Sequence, residues 1–271
     1  MQKVFDLTNK NITLLTPLIL FSIFSTIYLS ISANGRLVNV LLAMVLFLFM
    51  TSAFLAGWLY MTKLAVEENS SAESVNLIKE FPSGVGEYFL PSLGAIIIMF
   101  IFGLGMTILS FKFGMKFIGD AGITPKALVE ALETTAALKA FITSLSAEQI
   151  FKLNQWNLLL LGVMSFTYYL LMFYLPALFY KTKNSFKAFF IGIKNLFNRK
   201  FIKTLGIYLL IFFLNFFITF LSVIFSNNLI LHFLVTFLNF YFITIVAVGI
   251  FYYYNENFVK PLIGQNIDVR L

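Results

Sequence analysis

In an apolar chain destined for hydrocarbon, the side chains able to do chemistry are the polar ones inside apolar runs, because the solvent there offers them no hydrogen bonds. Two such sets lie close together: Asn215, Thr219 and Ser222, then His232, Thr236 and Asn239. Spacings of three, four and seven place each set on one face of a helix. With the turn at Asn227, Asn215 and Asn239 each fall about 18 Å away at 1.5 Å per residue, so the two amides share a depth. Ser222 and His232 form a second level nearer the turn. This ladder has two readings. Its members hydrogen-bond between helices, each bond contributing about 1 kcal/mol, or they line a cleft that carries a polar or amphiphilic ligand. His232 lies near the end of its run, which suits an interfacial histidine better than a proton relay.

Other chemistries find little support. The chain has no cysteine and one histidine, so thiolate catalysis, disulfides and the common metal sites are not expected. None of the 12 carboxylates and 19 cations falls clearly inside an apolar run, which disfavours a proton pump and an intramembrane aspartyl or zinc protease. Gly103-Leu104-Gly105 lies within a span with no lysine-serine pair after it, so it is not a phosphate loop. No catalytic residue, cofactor or metal is expected, and the chain is read as a non-enzyme.

The elements that carry the ladder follow from composition. Sixty per cent hydrophobic and 11% charged residues, with mean hydropathy +0.91, lie far from a soluble domain, where roughly a quarter of residues are charged. At about 20 residues per span, the 271 residues accommodate six: about 12–32, 37–62, 88–111, 156–180, 204–226 and 229–254. The expected fold is an all-α polytopic membrane protein, a single integral domain over 1–271, with six transmembrane helices in three hairpins and interfacial amphipathic helices between them. The first run is longer than the 7 to 15 apolar residues of a signal peptide, so it is read as a span.

Connections carry their own signals. Residues 1 to 11 form an amphipathic turn with Val4, Phe5 and Leu7 as its apolar side, and Asn34-Gly35 marks a tight turn. Ser70 and Glu73 make a capping box that starts a short helix, which Pro82 and Gly84-Val85-Gly86 end by bending the chain into the third span. Across 112–153, Thr124-Pro125 starts a helix. Leu128, Leu132, Thr135, Leu138, Ile142 and Leu145 mark one face of it. Ser146 and Gln149 cap a second helix that continues toward span four. That fourth span breaks at Pro176. Tyr252, Tyr253 and Tyr254 mark one headgroup level and Trp156 the other.

Between spans four and five lies the segment that sets orientation. Lys181, Lys183, Lys187, Lys194, Arg199, Lys200 and Lys203 share it with no acidic residue. Lys and Arg number 13 on its side of the six spans and 6 on the other, so its side is expected to be cytoplasmic, with both termini inside and 112–153 outside. The excess of cations, net +7, is thereby a topology signal and not a sign of nucleic acid. Headgroup anchoring, docking of a cytoplasmic partner and recognition of a lipid headgroup are its three possible further roles.

Each odd-numbered span is preceded by a short polar or amphipathic segment. The Ser74 to Gly94 stretch and the Ser185 to Gly206 stretch can be laid over each other, and Asn9-Lys10-Asn11-Ile12-Thr13-Leu14 matches Asn198 to Leu205 as a third copy. The Leu175-Pro176-Ala177 ending of span four, the lysine-bearing helix begun at Ser185 and the Asn198-Arg199-Lys200 bend resemble a large, poorly characterised family of bacterial and archaeal six-span proteins. The entry Asn11 to Pro17 and the bend from Gly84 to Pro91 are similar to it as well. A related membrane domain is fused to some glycerophosphodiester phosphodiesterases, but no phosphodiesterase domain is present here. The resemblance implies an architecture and no catalytic motif.

The functional expectation is a non-enzymatic subunit or scaffold of a transport or envelope assembly in the cytoplasmic membrane. Its partners would be membrane lipids, other membrane subunits or a cytoplasmic ATPase. The alternative is a permease moving a small amphiphile or lipid past the ladder.

Overall fold

The computed structural model describes residues 2–32, 37–68, 76–198 and 200–261. Among these the regular structure is all helical, as the length and continuity of the apolar runs require. The elements are α1 (Gln2–Lys10), a 3₁₀ turn (Ile12–Leu14), α2 (Leu15–Ser32), α3 (Leu37–Glu68), α4 (Leu77–Phe117), α5 (Pro125–Leu132), α6 (Thr135–Ser144) and α7 (Ala147–Leu171). They continue with α8 (Tyr174–Tyr180), α9 (Ser185–Leu196), α10 (Phe201–Ile224), α11 (Leu229–Tyr254) and a π turn (Asn255–Val259). Six stretches are long and apolar enough to cross a membrane: Ile12–Ser32, Val40–Glu67, Leu77–Phe117, Ala147–Tyr180, Phe201–Ile224 and Leu229–Val259. The protein is an all-α, multi-pass integral membrane protein. The Asn34-Gly35 turn, the Ser70–Glu73 capping box and Ser74 lie outside the described residues.

Two compact units divide the chain, residues 1–99 with 170–271, and residues 100–169. In the first, α11 packs against α1, α2, α3, α8 and α10. The Trp58 Nε1–H donates to the Leu14 carbonyl at 2.9 Å, and this buried bond ties the entry of the first span to α3. α1 packs on α11, and its buried residues are Leu7 and Thr8. Phe5, expected on the same apolar side, is 43% exposed, because only one narrow edge of so short a helix meets its neighbour.

α4 corrects the expected bend. It is unbroken from Leu77 to Phe117 and contains both Pro82 and Pro91. Gly84, expected to turn the chain, instead permits close packing, whereas a Cβ on Gly86 would meet nothing within 4 Å. A Cβ on Gly84 would lie 2.6 Å from Tyr60 Cβ and 3.0 Å from the Ala56 carbonyl oxygen, and one on Gly57 would lie 2.6 Å from the Phe81 ring. A proline loses one backbone hydrogen bond and strains its preceding turn, but hydroxyls from neighbouring helices bond the backbone near the second proline. Ser52 Oγ donates to the Phe89 carbonyl and Ser185 Oγ to that of Pro91, each at 2.8 Å.

The fourth span breaks earlier than Pro176. α7 ends at Leu171 and α8 begins at Tyr174, with Pro176 in its first turn. A proline cannot bond the carbonyl four residues back and collides with it; that carbonyl belongs to Met172, where the helix parts.

In the second unit Gly119, at φ +81°, closes α4 by donating its N–H to the Gly114 carbonyl at 3.1 Å. Trp156 Nε1–H donates to the Gly119 carbonyl at 3.1 Å, and the indole lies against Gly114. Thr124 caps α5 with Pro125 at its start. Ser146 and Gln149 exchange reciprocal bonds at 3.0 and 3.2 Å, after which α7 runs directly into the fourth span. The helix expected between them is two helices, split where Thr134 accepts from Ala137 N–H and starts α6. An N-cap threonine inside an apolar pattern offers the backbone a local alternative to continuing the helix. The side chains of Leu128, Leu132 and Thr135 lie outside the described atoms; Ile142, on the same expected face, is 51% exposed.

Candidate functional site

The ladder residues occupy α10 and α11, which pack against each other. Asn228 starts α11 by accepting from the Leu231 N–H at 3.1 Å, so the turn sits where the sequence places it. Asn215 and Thr219 are exposed, whereas Ser222, His232, Thr236 and Asn239 are half-buried. The two threonine hydroxyls turn back on their own helices: Thr219 Oγ1 donates to the Asn215 carbonyl and Thr236 Oγ1 to the His232 carbonyl, both at 2.9 Å. Among the described residues no hydrogen bond joins the three α10 members to the three α11 members. His232 Nδ1 is buried without a hydrogen-bond partner. Between the two levels, Ile218 and Val235 are the buried residues. Apolar packing therefore holds this part of the hairpin, and the polar groups flank it.

The basic segment is divided among several roles. Lys183 pairs with Glu87 at 3.0 Å and lies 5.4 Å from the centre of the Tyr88 ring. Lys200 Nζ donates to Asn257 Oδ1 at 2.7 Å, and Lys203 lies over the Tyr253 ring at 5.8 Å. Lys181 is half-buried, and this desolvation holds its ammonium pKa below the ordinary value. Arg199 lies outside the described residues. Lys187 and Lys194 remain exposed, seven residues apart and so on one face of α9. Phe186 and Phe190 beside them are 63% and 55% exposed. An aromatic strip with cations alongside suits a helix lying in the headgroup plane.

The inner face of α9 is fixed by contacts the sequence reading missed. Asn184 caps the helix, accepting from the Lys187 N–H at 2.9 Å. Ser185 Oγ would lie only 2.6 Å from a Cβ on Gly94, so that glycine allows the serine to reach the Pro91 carbonyl. Gly192 meets the α8 backbone at Tyr174. Asn195 Nδ2 donates to the Tyr254 hydroxyl at 2.8 Å, and the Thr204 and Tyr253 hydroxyls lie 3.2 Å apart.

Tyr253 and Tyr254, expected at a headgroup level, are 8% and 0% exposed. Their rings surround Phe173 at centroid distances of 5.8 and 5.5 Å, with Phe258 also 5.5 Å from it. The cause is that the helix does not end at Tyr254. The π turn carries it on through the buried Asn255 and Phe258, which encloses the tyrosines. Lys63 forms a related cluster, 6.0 Å from the Tyr60 ring centre and 5.7 Å from that of Tyr180. Tyr60 and Lys63 are one turn apart, a spacing visible in sequence; the approach of Tyr180 from another helix is not.

Among the described residues no three of His, Asp and Glu gather to hold a metal ion. Comparison with known proteins finds no matching family model, no matching curated protein and no matching solved structure.

Proposed function

We propose that this protein is a non-enzymatic subunit or scaffold of a transport or envelope assembly in the cytoplasmic membrane. In this reading the termini and the basic segment face the cytoplasm, by the distribution of Lys and Arg. The observation that carries it is the exposed position of Asn215 and Thr219 on α10, a helix whose buried residues are Thr204 and Ile218 alone. Polar groups on an open helix face within the bilayer suit contact with another membrane helix. Lys187 and Lys194 on the outer face of α9 offer a separate surface to headgroups or to a cytoplasmic ATPase. The proposed kinship with the six-span family rests on the span-four ending, the Ser185 helix and the Asn198–Lys200 bend, and it supplies no activity.

Tagged protein extracted into native nanodiscs tests the proposal. A stoichiometric protein companion, whether a second copy or another chain, is the expected result. Recovery only as a solitary monomer overturns it.

One relationship favours the permease reading. Asn215 and Asn239 have equal offsets from the turn, are exposed and half-buried respectively, and among the described residues are not hydrogen-bonded to each other. If a wet cleft runs there, cysteines at both positions react with a water-soluble thiol reagent; if only lipid reaches them, neither does.

A further inference from the structure

Asn215 is an exposed primary amide inside a membrane span. α10 runs from Phe201 to Ile224, so Asn215 lies about 13 Å from its carboxyl end at 1.5 Å per residue, well inside a hydrocarbon layer of about 30 Å. Headgroups do not reach that depth, and lipid tails provide neither donor nor acceptor. The neighbouring hydroxyl does not serve the amide, because Thr219 Oγ1 bonds the Asn215 main-chain carbonyl. The half-buried Asn239 at the same depth is not bonded to it. Among the described residues no hydrogen bond reaches the carboxamide, and its two donors and its acceptor stand without a partner on an exposed residue.

We infer that two copies of this chain pair side by side in the bilayer through the α10 face that carries Asn215 and Thr219. Each Asn215 carboxamide donates to, and accepts from, its counterpart. The occupant follows from symmetry and chemistry together. Copies inserted with one topology are related by a two-fold axis along the membrane normal, which brings a residue opposite itself at equal depth. An amide is one of the few side chains complementary to its own copy, since it presents both donor and acceptor. Phe216, 60% exposed beside Asn215, supplies apolar contact at the same level. This rests on the scaffold reading and names its partner.

The absence of native cysteine makes the test direct, because a single introduced thiol can form a disulfide only with another molecule. In native membranes treated with copper phenanthroline, Asn215→Cys is expected to give a dimer of twice the chain mass. Phe213→Cys, 64% exposed and on the opposite side of α10, is expected to stay monomeric. Photobleaching counts of labelled protein in liposomes should show Asn215→Leu weakening the dimer by about threefold to twentyfold, as for other intramembrane hydrogen bonds. Asn215→Gln should keep it. A dimer insensitive to Asn215→Leu overturns the pairing. A cross-link from Asn215→Cys to a different protein overturns it too but leaves the scaffold reading standing. A monomer in every measurement removes both.

Discussion

Gly192 of α9 packs directly on the backbone of Tyr174 in α8: a Cβ at Gly192 would lie 3.0 Å from both the Tyr174 N and its Cα. Backbone atoms of a neighbouring helix cannot swing aside as the end of a side chain can. The short helix after the break and the basic helix that follows it are therefore locked together at the position where the span-four ending turns into the cytoplasm-facing segment of the proposed topology. Gly192→Ala is expected to cost about 1–3 kcal/mol through overpacking, and Gly192→Leu more. Thermal unfolding of purified protein in one detergent checks both, with Gly206→Ala as a control because nothing lies within 4 Å of a Cβ there.

Trp58 closes the entry of the first span. Replacing it with Phe keeps an aromatic ring near Phe54, whose centroid is 5.5 Å from that of Trp58, but removes the donor to Leu14. The carbonyl is left buried and unpaired, so Trp58→Phe should lower stability by about 1–3 kcal/mol. A denaturant titration with no change in the midpoint would mean that the Leu14 carbonyl finds another donor.

Asn195 and Tyr254 form a double-mutant cycle across α9 and α11. Tyr254→Phe should cost about 0.5–1.5 kcal/mol. Asn195→Leu should then add less in the Tyr254→Phe background than it costs alone, because the shared bond is already gone. Strict additivity of the two losses would show that the bond contributes nothing.

Lys181 predicts a pH dependence with a definite sign. Burial lowers its folded-state pKa below the ordinary 10.5, so between the lowered value and 10.5 the unfolded chain binds more protons than the folded one. Stability attributable to this group rises with pH through that window. Lys181→Met should thus be more stable than the parent at neutral pH, and the gap should narrow as pH approaches 10.5. Melting curves of the two proteins across this range decide it; a gap that widens with pH contradicts the assignment.

Orientation is checked with single cysteines in the cysteine-free chain. In intact cells, Asn227→Cys should react with a membrane-impermeant maleimide, and Lys194→Cys should react only after the membrane is opened. Labelling of Lys194→Cys from outside would reverse the proposed topology.

Much of this architecture follows from the order of residues alone. The apolar runs determined six crossings because hydrocarbon forces backbone polar groups to pair within each segment. Ser146 with Gln149, and Thr124 with Pro125, determined helix starts because capping is settled within one turn. The equal offsets of Asn215 and Asn239 from Asn227 predict a shared depth. Tertiary structure decided whatever depended on a second helix. Pro82 and Gly84 read locally as a helix end, but the helix runs on unbroken through both, with Tyr60 and Ala56 packed close to the glycine. Tyr253 and Tyr254 read by type as interfacial, and only the packed structure shows them enclosed by protein, beside Phe173 and Phe258. The ladder had the spacing of one face on each helix, yet its two threonine hydroxyls bonded their own backbones and Asn215 stands exposed. Periodicity specifies a face; what meets that face is set by how the helices pack.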